Sequence, residues 1–114
     1  MNIREIVETF ENAGRIDLLE EIAQFAIGQC DAQRDYSDET EELAQEMDEM
    51  LESLRSAETE AANPVGWARC DAEQVLRNAD QLAELVDDDF HHWVTFEISV
   101  YAYRLEVKHL GAPA

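Results

Sequence analysis

The chain has 114 residues, 46% of them apolar and 31% charged, and its 27 acids against 8 bases give a formal net charge of −19. This length suits one domain, and the apolar content suits a modest core rather than a disordered chain. The charge argues against direct nucleic-acid binding, which relies on Lys and Arg to meet phosphates, and against docking on an anionic membrane surface.

Four Gly and two Pro are the only strong punctuation, so long helices are expected. Ile3, Ile6, Val7 and Phe10 recur at helical spacing and predict a first helix from about Asn2 to Ala13. Asn2 can cap it, and Gly14 sits where a left-handed C-terminal residue belongs. Leu18, Leu19, Ile22, Ala23, Phe25, Ala26 and Ile27 give a second helix, from near Asp17 to about Arg34, a broad apolar face.

Ser37 is the expected N-cap of a third helix, with Asp38 and Glu39 at the favourable end of its dipole. Leu43, Met47, Met50, Leu54, Ala57 and Ala61 follow as a heptad seam, suited to another helix or to a second copy of the chain. Pro64 disfavours helix at Asn63 and ends it. Trp67 is then expected in a loop that caps the core. A fourth helix is predicted from about Ala68 to Val86, with Val75, Leu76, Ala79, Leu82, Ala83 and Val86 inward.

The segment from Trp93 to Tyr103 has strand-like propensity, yet no other segment offers a strand to pair with. Trp93, Phe96, Val100, Tyr103, Val107 and Leu110 recur at 3, 4, 3, 4, 3, which predicts a helix over about 89–110. Val94, Ile98, Tyr101 and Leu105 widen its apolar stripe, and residues 90–114 carry no net charge, so this helix is expected at the centre. The predicted architecture is all-α: a compact bundle of about five helices with the C-terminal helix central, in a single acidic domain over 1–114. Cys30 and Cys70 have no CxxC pattern and are expected as buried, reduced thiols. No secretory leader or membrane-length apolar run is seen, which implies a cytoplasmic protein.

The third helix carries the feature most suggestive of function. Asp38, Glu39, Glu41, Glu42, Glu46, Asp48, Glu49 and Glu52 follow one another with no base between them. Fifteen residues span about 22 Å. That is one charge per roughly 2.8 Å, against about 3.4 Å for one strand of duplex DNA. Glu39, Glu42, Glu46 and Glu49 form one row, and Asp38, Glu41, Asp48 and Glu52 a second. Like charges at these spacings each cost a few tenths of a kcal/mol. A costly pattern invites a functional account: a rigid acidic face that occupies the basic groove of a nucleic-acid-binding protein or complex. Asp87, Asp88 and Asp89 join the candidate contact set, with Asp71 and Glu73 behind them.

In size and charge the chain resembles the phage-encoded DNA-mimic inhibitors of restriction and CRISPR complexes. That resemblance implies a non-catalytic inhibitor working in the host cytoplasm, with no cofactor and no bound metal. Two alternatives stand beside it. Seven Arg against one Lys, with the acid excess, suit a salt-adapted or solubility-driven acidic domain. Glu49-x-x-Glu52 and Glu84-x-x-Asp87 resemble the carboxylate pairs of all-α Mg-dependent nucleotide pyrophosphatases of the MazG and dimeric-dUTPase type. Glu106-x-x-His109 resembles half of a ferritin-like di-iron site but has no second copy, and His91-His92 lack further ligands.

Overall fold

The computed structural model describes residues 2–111. Asn2 caps the first helix, α1 (Ile3–Asn12), its side chain accepting from the Glu5 amide at 2.9 Å. Gly14 closes α1 with φ +68°, a left-handed conformation that a residue with a Cβ adopts only under strain. Helix α2 (Ile16–Cys30) follows and tightens into a 3-10 turn over Asp31–Gln33, so the α-helix stops before the expected Arg34.

Helix α3 (Asp38–Arg55) opens on a capping box. Ser37 Oγ accepts from the Thr40 amide, and Thr40 Oγ1 accepts from the Ser37 amide. Thr40 is fully buried, and its hydroxyl also lies 2.9 Å from the Arg34 carbonyl oxygen. The helix breaks at Ser56, whose hydroxyl bonds back to the Glu52 carbonyl, and a single turn, α4 (Ala57–Glu60), completes the segment.

Pro64 begins the next helix as well as ending the previous segment. Helix α5 (Pro64–Val86) starts four residues earlier than the sequence suggests. Proline suits a first helical position, where no amide partner is needed. Asn63 caps it through the Gly66 amide, so Trp67 stands in the first turn of a helix and not in a loop. Trp67 is 43% exposed and donates from Nε1 to Ser53 Oγ of α3 at 2.9 Å. Asp87 then caps α6 (Asp88–Leu110) through the Phe90 amide at 2.7 Å. The segment around Trp93–Tyr103 is helical, and no strand occurs among the described residues.

The all-α bundle is as expected, but its centre is α5 and not the C-terminal helix. Helix α5 packs against α1, α2, α3, α4 and α6 and buries eight residues, against four in α6. Four of the eight are alanines, Ala68, Ala72, Ala79 and Ala83, which let neighbouring helices approach closely. The molecule is a slab of 36 × 35 × 17 Å, about two helix layers thick.

Two apolar faces also lie elsewhere than periodicity suggests. On α3 the buried seam is Thr40, Ala44, Met47, Leu51 and Leu54, with Leu43 and Met50 only partly covered. This seam packs mainly on α5, so it is not free to join two copies of the chain. On α6 the core face is Val94, Ile98, Ala102 and Leu105. The heptad expected inward points out: Trp93 is 46%, Phe96 64% and Tyr103 52% exposed. Of the cysteines, Cys30 is buried as expected but Cys70 is exposed, and both are free thiols.

Candidate functional site

Seven of the eight α3 acids are exposed and Glu41 is partly so, because the Thr40–Leu54 seam turns the opposite side of the helix inward. The two acidic rows meet different surroundings. Glu39, Glu42 and Glu46 form one wall of a groove, and Glu84 of α5 and Asp88 of α6 stand on the other. Leu43, Gln81 and Leu85 line the rest, with no Lys or Arg among the walls. Five carboxylates thus face one concavity that holds no countercharge among the described residues.

The second row is partly neutralised. Arg34, projecting from the turn before α3, lies 2.9 Å from Asp48, 3.3 Å from Asp31 and 3.6 Å from Glu41. These three carboxylates hold its guanidinium above its ordinary pKa, the Asp48 hydrogen bond contributing most. Arg55 reaches Glu20 at 3.3 Å and Glu52 at 4.0 Å. Exposed pairs of this kind contribute little stability but cancel local field. Asp38 is exposed in the first turn of α3, and Glu49 is exposed and makes no hydrogen bond or ion pair among the described residues.

One groove acid is fastened to the core. Asn78 of α5 is 1% exposed, and its Nδ2 donates to Glu46 Oε2 at 3.1 Å and to the Leu43 carbonyl at 3.3 Å. Gln74 Nε2 donates to Asn78 Oδ1 at 2.9 Å, which satisfies the amide on both sides. Glu46 is therefore pinned on one oxygen, while Glu39 and Glu42 project freely.

The other candidates divide between structure and surface. Asp87 is occupied as the α6 cap, Asp88 belongs to the groove, and Asp89 is exposed in the first turn of α6. Glu73 is held by Arg69 at 3.0 Å and Arg77 at 2.7 Å. One carboxylate oxygen of Asp71 is buried without a hydrogen-bond partner. Glu84 is the groove member that periodicity did not rank with the α3 acids. In the sequence it stands out only as part of Glu84-x-x-Asp87, and its meeting with the α3 acids depends on how α3 packs on α5.

Among the described residues no three His, Cys, Asp or Glu side chains come together as a metal site. Glu84 shares its groove with Glu39, Glu42 and Glu46 and not with Glu49 or Glu52, so Glu49-x-x-Glu52 and Glu84-x-x-Asp87 do not line one groove together. His91 Nε2 lies 2.7 Å from Asp80 Oδ1, a side-chain contact between α5 and α6, and His92 is exposed. Burial pushes the Cys30 thiol up to about 12, which suppresses the thiolate a nucleophile needs. No helix among the described residues is long and apolar enough to cross a membrane. No protein-family model, curated protein or solved structure matches the chain.

Proposed function

We propose that the protein is a non-catalytic inhibitor or regulator that imitates nucleic acid. Its acidic groove would occupy the basic site of a nucleic-acid-handling protein, as the anti-restriction and anti-CRISPR mimics do. The observation that carries this reading is the groove itself: Glu39, Glu42, Glu46, Glu84 and Asp88 share one concavity with no base in its walls. Like-charged walls focus a negative potential outward and steer a basic partner to the opening. The row from Glu39 to Glu49 runs about 15 Å along a rigid helix, which holds its charges in a fixed order that a disordered acidic tail lacks.

The test is capture of partners from host lysate on the tagged protein, followed by elution with salt and, separately, with duplex DNA. A DNA-binding protein released by both supports the reading. The triple variant Glu39→Gln/Glu42→Gln/Asp88→Asn removes groove charge and spares the bridged Glu46. It should keep its helicity and release the partner at much lower salt. Capture that is indifferent both to DNA and to these three substitutions would overturn the reading.

A further inference from the structure

The outward face of α6 is an apolar stripe that no element of the described residues covers. Its residues Trp93, Phe96, Val100, Tyr103, Val107 and Leu110 recur at heptad spacing and lie about 180° round the helix from the buried Val94, Ile98, Ala102 and Leu105. We propose that a second copy of this chain covers it, α6 packing antiparallel on α6 about a two-fold axis.

Three observations choose that occupant. The first is charge. Residues 1–89 hold the whole net charge of −19, and residues 90–114 hold two acids and two bases. Two copies of so acidic a molecule meet at least cost through their least charged face, and between Trp93 and Leu110 that is the outward side of α6, with Asp89 at its N-terminal edge.

The second is unpaired base. Six of the eight Lys and Arg are engaged in ion pairs within the chain. The remaining two, Arg104 and Lys108, both lie on α6 and make no ion pair among the described residues, and neither does Glu97.

The third is self-complementarity. In the antiparallel register Trp93 meets Leu110 of the second copy, Phe96 meets its Val107, and Val100 meets its Tyr103. Each bulky ring packs on a smaller side chain, as interdigitating seams require. The same register sets Glu97 of one copy beside Arg104 of the other, twice by symmetry. A parallel pairing would instead stack ring on ring and bring the two Asp87–Asp89 triads together.

The size is adequate but modest. Three rings about half exposed leave roughly 300 Å² of aromatic surface per copy. Such a patch suits the centre of an interface at the small end of the specific range, about 1,200 Å² in total. The expected dissociation constant is micromolar.

Sedimentation equilibrium on the full chain from about 5 to 500 µM tests this. The expected result is a reversible shift from one chain to two, accompanied by a blue shift of Trp emission as Trp93 is covered. Phe96→Ser/Tyr103→Ser, at exposed positions, should leave helicity intact and weaken the dimer by about tenfold or more. Arg104→Glu alone should weaken it, and Glu97→Arg/Arg104→Glu should restore it. A chain that stays monomeric over the whole range, or a dimer indifferent to the Phe96/Tyr103 double substitution, overturns the proposal. Failure of the charge swap to restore the dimer refutes the antiparallel register.

Discussion

Replacing Glu42 by Gln should make the protein more stable while weakening its grip on a basic partner. Glu42 has Asp38 at i−4, Glu39 at i−3 and Glu46 at i+4, all acidic, and its side chain makes no compensating bond among the described residues. It also lies past the first turn of α3, beyond the part of the helix where the dipole rewards a negative charge. Each like-charge pair costs about 0.2–0.5 kcal/mol, so three sum to about 1 kcal/mol. Glu84 and Asp88 across the groove add repulsion of the same sign. Gln has nearly the helix propensity of Glu, so the substitution isolates the charge. Urea unfolding followed by far-UV circular dichroism reads the change directly. With a slope of about 2 kcal/mol per molar, the midpoint should rise by about 0.5 M at low ionic strength. At about 1 M NaCl the Debye length shrinks to about 3 Å, and most of the gain should vanish. An unchanged or lower midpoint at low salt would refute the claim that this row is held together against its own repulsion.

Other outcomes follow from the same contacts. In a double-mutant cycle, Asn78→Ala and Glu46→Ala should couple by about 1 kcal/mol in urea unfolding, because their amide–carboxylate bond is lost once and not twice; additivity within about 0.3 kcal/mol would show the bridge to be idle. Cys70 should react at once with a thiol reagent and Cys30 only on unfolding. Burial raises the Cys30 pKa from the ordinary 9.0 to about 12, so its contribution to stability is full below pH 9.0 and is lost as pH rises toward 12; Cys30→Ala should flatten that alkaline decline in unfolding free energy. Added salt should act oppositely on the two proposed associations. It screens attraction to a basic partner and weakens that complex, and it screens repulsion between two chains of −19 and tightens the dimer, as sedimentation at about 10 mM and about 500 mM NaCl would reveal.

The parts of the fold legible in the sequence are those governed by local chemistry. Asn2, Ser37 and Gly14 do at their helix ends what their side chains, or the lack of one, dictate. The misplaced parts depend on packing. Periodicity favours Leu43 and Met50 for the α3 seam because they are bulkier than Thr40 and Ala44, yet Thr40 is buried, its hydroxyl held by the Ser37 amide and the Arg34 carbonyl. Periodicity does not single out helix α5 as central because four of its eight buried residues are alanines, whose small side chains give a weak apolar signal and allow a close helix contact. Helix α6 has apolar stripes on two opposite faces, and periodicity cannot say which of two equivalent faces meets the core. For the site, the α3 acids were legible as a run. Their division by Arg34 into a neutralised and a free row required the turn at Asp31–Gln33 to be in place.

The groove has a mechanical side. Its five carboxylates push α3 away from α5 and α6, while the Asn78 bridge and the close approach along α5 hold the helices together. The spacing of the charges is therefore set by volume in the uncharged interior. Enlarging Ala44, buried in the α3 seam that packs on α5, would wedge those two helices apart and change the pitch of the acidic surface without touching one charged residue. Core volume thus becomes a dial on what the surface can match.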